Sequence, residues 1–133
     1  MNKFRYTLFA TALIVSSAFA QDVLVVNART VKLRLDNPDV RVLEASLEPG
    51  AKEQQHSHPA YVIYVIAGGK MRNHSPDGKV TDSVFTTGDV IYREPLTHWA
   101  ENIGDTTIHL ILVELKSRSA KSPEASGTGE SRR

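Results

Sequence analysis

The chain has 133 residues, with 16 basic and 15 acidic side chains and no cysteine. That length supports one domain with a modest core, and the missing cysteine excludes disulfides, Cys-ligated zinc and a thiolate nucleophile. A near-neutral balance without clustered Lys and Arg lacks the footprint of phosphate contacts, so no nucleic acid is expected as a partner.

In residues 1–20, Lys3 and Arg5 form a short basic start, residues 8–19 are apolar or small, and Ala18-Phe19-Ala20 closes the stretch. This is the layout of a cleaved secretory signal peptide, with Gln21 as the expected mature N-terminus and the periplasm or exterior as the destination. The apolar run is too short to cross about 30 Å of hydrocarbon comfortably, and no later run is long enough, so no membrane span is expected. Removing 20 of the 133 residues leaves 113, and Lys3 and Arg5 leave with them. Residues 21–115, the expected folded domain, hold 9 basic and 13 acidic side chains. Residues 116–133, "KSRSAKSPEASGTGESRR", have no apolar anchor to offset their ordering entropy and are expected to form a disordered tail.

Between these ends the sequence is written in short strands. Residues 23–26 are a β-branched run, and residues 30–35 alternate Val31, Leu33 and Leu35 with Lys32 and Arg34, the period of a half-buried strand. Asp36-Asn37-Pro38-Asp39 is turn chemistry, residues 40–47 resume the strand pattern, and Pro49-Gly50 breaks it. Strands are then predicted over 52–58 and 60–67, with Gly68-Gly69 closing the second. Residues 70–74 and 79–85 form a hairpin across Ser75-Pro76-Asp77-Gly78, a turn that supplies a positive-φ glycine. Residues 90–93, 98–102 and 106–115 complete the set. No segment after residue 20 keeps helical periodicity for ten residues. Many short antiparallel strands with turns every eight to twelve residues predict an all-β sandwich or small barrel.

His56 and His58 stand at i and i+2 on one predicted strand, so both side chains project from the same face. A lone His-x-His pair recurs by chance, and its meaning rests on what surrounds it. Here Gly50, five residues, His56, one residue, His58 and a later glycine at Gly68 or Gly69 are followed by Gly88-Asp89-Val90-Ile91-Tyr92, Pro95, His98 and Asn102. In order and separation these resemble the two cupin motifs. Over roughly residues 40–115 the chain is similar to small exported single-domain cupins, including an ending like that seen here at residues 101–105 and 113–116.

The resemblance implies a single-domain cupin jelly-roll β-barrel with a divalent transition metal (Fe, Mn, Ni, Cu, Co or Zn) held by His56, His58 and His98. Its usual glutamate, four residues after the second histidine, is Val62 here, and its usual Pro-x-Gly is Pro95-Leu96-Thr97. Three neutral imidazoles suit these metals better than magnesium or calcium and leave coordination positions open. Tyr64, sharing the parity of Val62, is the candidate pocket phenol and the one catalytic candidate. Gln54 is a possible oxygen ligand, whereas Asn102 is expected to satisfy backbone groups. Trp99 is expected outside the barrel, His74 beside its turn in solvent and His109 at the surface. The function expected is that of a small exported metal-binding cupin, acting on or binding a small polar, metal-chelating organic molecule as a dioxygenase, isomerase or lyase. The alternatives are a non-catalytic ligand-binding module and a metal-free structural cupin. A homodimer is expected, because residues 23–26 and 30–35 leave apolar strand edges to cover.

Overall fold

A computed structural model describes residues 21–117. The expected signal peptide, residues 1–20, and the tail beyond Ser117 lie outside the described residues. One short helix, α1 (Val23–Val26), precedes nine strands: β1 (Val31–Asp36), β2 (Val40–Leu47), β3 (His56–His58), β4 (Tyr61–Ala67), β5 (Gly69–His74), β6 (Val80–Phe85), β7 (Val90–Arg93), β8 (Leu96–Asn102) and β9 (Ile108–Leu115).

All strand pairings in the two sheets are antiparallel, in the orders β1-β2-β9-β4-β7 and β3-β8-β5-β6. Alternation decides which side chains meet between the sheets. Leu43, Ala45 and Leu47 on β2 and Ile108, Leu110 and Leu112 on β9 turn inward and are buried. Tyr61, Ile63 and Val65 on β4 do the same, and Met71, Phe85 and Ala100 close the core from the opposite sheet. The all-β reading of the sequence therefore holds.

The connections follow their residues. Asn37 accepts from the Asp39 and Val40 backbone N–H groups at 2.9 and 2.8 Å, forming the Asx turn between β1 and β2. Gly78 has φ +85 in the β5–β6 hairpin, where an L side chain would be strained. A Cβ at Gly68 would lie 2.1 Å from the Phe85 carbonyl oxygen, so only glycine allows the end of β4 to pass so close to β6.

Two expectations are corrected. Residues 23–26 form a helical turn rather than a strand. The Asp22 carboxylate accepts from Leu24 N–H at 2.9 Å and the Asp22 carbonyl accepts from Val25 and Val26, so local capping satisfies the backbone that a strand would have paired. The predicted strand over 52–58 shrinks to His56–His58, and Lys52 makes only an isolated bridge to Glu101. Residues 53–55 are irregular because the Asn27 side chain claims the Gln54 backbone: Gln54 N–H donates to Asn27 Oδ1 at 2.7 Å and Asn27 Nδ2 donates to Gln54 O at 3.0 Å.

Candidate metal centre

Strands β3 and β8 are hydrogen-bonded neighbours with His56 opposite His98. His56 and His58 enter the barrel from β3, and His98 joins them through the inward parity it shares with Leu96 and Ala100. The three ring centroids are 4.7, 4.8 and 5.5 Å apart. One ligand nitrogen from each lies within 4.8 Å of the others, so the three can hold one metal ion.

Oxygen acceptors behind the rings set their direction. His56 Nδ1 lies 2.7 Å from the Gln54 carbonyl oxygen, His58 Nδ1 lies 2.5 Å from Glu114 Oε1, and His98 Nδ1 lies 3.1 Å from Asn73 Oδ1. These oxygens only accept, so each contact places the proton on Nδ1 and leaves Nε2 as a bare lone pair. Asn27 Nδ2 also packs 2.9 Å from His56 Nδ1, but the shorter carbonyl contact decides the tautomer.

The Nε2 atoms of His56 and His58 face each other at 3.0 Å, and His98 Nε2 is buried without a hydrogen-bond partner. Two lone pairs at that separation repel unless a proton or a metal ion lies between them. Metal–imidazole bonds of about 2.0–2.1 Å let one ion reach both nitrogens. Donor type, tautomer and spacing therefore fit a divalent transition metal.

Charge supports the same arrangement. Burial, with the neighbouring imidazole charges, pushes His56 down to about 4 and His98 down to about 3, so both are neutral and able to bind metal at pH 7. Burial alone would raise Glu114, but hydrogen bonds from His58 and Arg41 outweigh it and hold the carboxyl below its ordinary value. Arg41 Nε donates to Glu114 Oε2 at 2.6 Å, and its Nη1 donates to Asp22 Oδ2 at 2.8 Å. The chain Asp22–Arg41–Glu114–His58 thus orients one ring from outside the cluster, a role in metal sites that matters almost as much as the ligands.

The histidines open on a cavity of about 250 Å³, at the small end for organic ligands. Ile63, Met71 and Phe85 form apolar wall, while Glu53, Tyr61, Asn73 and Arg93 bring polar groups to it. Glu53 Oε2 lies 3.9 Å from His56 Nε2, its side chain is 7% exposed, and burial pushes its carboxyl up to about 7. The Tyr61 ring lies 4.7 Å from His58, and burial pushes its phenol up to about 12.

Sequence reasoning misplaced the phenol and missed the carboxylates. Tyr64 is 48% exposed on the outer face of β4, and Tyr61 is the tyrosine that lines the cavity. The inward parity of β4 runs through Tyr61, Ile63 and Val65, which turns Val62 outward as well. Gln54 is solvent-exposed and contributes its backbone rather than its side chain. Glu53 belongs to the irregular stretch, where strand parity gives no signal. Glu114 carried one: it extends the buried row Ile108, Leu110, Leu112, so an acidic group there had to find a partner. Asn102, Trp99 and His109 lie where expected, but His74 does not: its side chain is only 19% exposed and its Nε2 is buried, because the Trp99 ring covers it. Asn102 Nδ2 donates to the Leu47 and Thr106 carbonyls, both at 2.8 Å. Trp99 stacks on His74 at 3.5 Å on the outer face, and His109 Nε2 meets Glu44 there at 2.6 Å.

No family model and no curated protein matches the sequence. Solved structures do match. A cupin domain protein from Bordetella pertussis Tohama I superposes with a TM-score of 0.60 at 28% identity, covering 65% of this chain and 92% of that one. A cupin-like protein from Thermotoga maritima MSB8 gives 0.52 at 26% identity, over 65% and 67% of the two chains. A protein with a double-stranded β-helix domain from Klebsiella pneumoniae gives 0.52 at 26%, over 63% and 73%. The described chain is a small cupin jelly-roll domain. In this cupin the two motifs sit on β3 and on the β7–β8 pair, and the replacement of the usual Pro-x-Gly by Pro95-Leu96-Thr97 leaves His98 in register with His56.

Proposed function

We propose that this cupin is exported, that His56, His58 and His98 hold one divalent transition metal, and that the centre acts on or binds a small polar, metal-chelating molecule. The supporting observation is the tautomer pattern: three Nδ1 atoms are engaged by oxygen acceptors and three Nε2 lone pairs converge. A bound ion would supply Lewis acidity to an oxygen ligand. Around it, Glu53, pushed up to about 7, is poised to take or return a proton near neutral pH. Tyr61 stays protonated and serves as a hydrogen-bond donor. The apolar walls limit water, and the cavity of about 250 Å³ suits a small organic molecule, since about 150 Å³ already accommodates a benzene ring. Dioxygenase, isomerase and lyase chemistry all use such a constellation, and the fold does not choose among them.

The test is elemental analysis of protein recovered from the exported fraction, whose first residue is expected to be Gln21. Wild type is expected to carry about one ion per chain and the His56→Ala/His58→Ala/His98→Ala variant none. Metal binding by that variant as tight and stoichiometric as in wild type overturns the assignment.

A further inference from the structure

Resting on the metal reading above, we propose that the cavity takes an anionic ligand, a small carboxylate gripped between the three-histidine ion and the Arg93 guanidinium. Arg93 ends β7 opposite Tyr61 and lines the cavity. Arg34, Arg41 and Arg72 are each held by a carboxylate, whereas among the described residues Arg93 has no ion pair. Its charge is felt at both His98 and Tyr61, which places it beside the cluster. Arg93 is half-buried at the cavity, and its planar guanidinium fork matches a carboxylate through two parallel N–H donors.

Charge bookkeeping points the same way. Three neutral imidazoles leave the full charge of a dication uncompensated, and Arg93 adds another positive charge. Among the described residues Glu53 is the sole acidic side chain lining the cavity, and even when ionised it leaves the balance positive. Glu114 is already engaged by His58 and Arg41. A carboxylate-bearing ligand neutralises what the protein leaves open, while the walls formed by Ile63, Met71 and Phe85 keep its carbon skeleton short. The hydroxyls of Ser75, Thr81 and Ser83 along the same lining offer partners for a second polar group.

The test uses the full exported chain loaded with Co(II), whose visible absorption reports metal binding by itself. Two probes of equal size are then titrated: glycolate, which is anionic, and hydroxyacetone, which is neutral. Glycolate is expected to shift the Co(II) bands with at least about tenfold tighter affinity than hydroxyacetone. Arg93→Gln is expected to weaken glycolate roughly tenfold to a hundredfold, leaving Co(II) loading and hydroxyacetone affinity unchanged, and Arg93→Lys to recover part of the loss. Equal affinity for the two probes, or glycolate binding unchanged in Arg93→Gln, overturns the proposal. Failure of Co(II) itself to bind instead overturns the metal reading. The anion subsite is then judged in metal-free protein from the NMR signal of the Arg93 Nε–H group: a shift with glycolate supports it, and an unmoved signal removes it.

Discussion

His56 and His98 bind fewer protons in the folded chain than in the unfolded one. Burial and neighbouring imidazole charges set them at about 4 and about 3, against about 6.5 when unfolded. As pH falls from 6.5, the unfolded chain takes up two protons that the native cluster refuses, so stability falls with it. Glu53 acts in the opposite sense. Burial raises it to about 7 from 4.5, so between those values the native state keeps a proton the unfolded state has released, and stability is lost as pH rises. Between about pH 4.5 and 6.5 the two histidines outweigh the one glutamate by one proton. Metal-free protein is therefore expected to gain about 1.4 kcal/mol of stability per pH unit across that window. Glu53→Gln removes the opposing group, and the slope should approach about 2.7 kcal/mol per unit. Urea unfolding of chelator-treated protein at a series of pH values measures both slopes. A flat wild-type profile, or the same slope in the variant, contradicts this account.

At the scale of elements, eight of the nine strands were legible to within a few residues: β2, β4 and β9 carry inward apolar rows that only one pleat can bury, and turn residues mark the ends of the shorter strands. The His-x-His pair was readable for the same reason: i and i+2 share a face, and the second motif supplies His98 on the neighbouring strand. Three things could not be read. Residues 23–26 are β-branched, yet a capping Asp22 and the burial of Val23 alone suit a helical turn. Residues 53–55 follow Asn27, a partner nearly thirty residues away, so no local pattern marks Glu53 as a cavity residue. Parity also does not carry across the break at Pro59 and Ala60, so counting from His58 put Val62 and Tyr64 inside when Tyr61 and Ile63 are. This register has a direct consequence. Val62 pairs with Tyr92 and Val113 on the outer face, so Val62→Glu is expected to leave the affinity ratio of Mn(II) to Zn(II) unchanged. A shift toward manganese in metal titrations would put residue 62 inside the barrel.

Across the whole molecule, the outward residues of the five-stranded sheet form a continuous apolar row. Leu35, Val42, Val113, Val62 and Tyr92 are paired in turn from β1 to β7, and Ile111, Tyr64 and Val90 form the row beside it. Tyr92 is 54% exposed and Val90 71%, far from the scattered single apolar side chains of an ordinary monomer surface. On the edge strand β1, Leu35 is exposed and carries the row to the sheet margin. A second copy laid across this face would bury both rows at once, and twofold symmetry requires only that the patch complement itself. Stable dimers need about 800 Å² per partner, an area that a five-stranded face can supply. The face lies on the opposite side of the sheet from the histidine cluster, so assembly and metal binding should separate experimentally. Light scattering at micromolar concentration is expected to return a dimer mass for wild type and a monomer mass for Tyr92→Asp, with equal metal content in both. A wild-type monomer at high concentration removes the dimer, and a Tyr92→Asp protein that remains dimeric moves the interface away from this face.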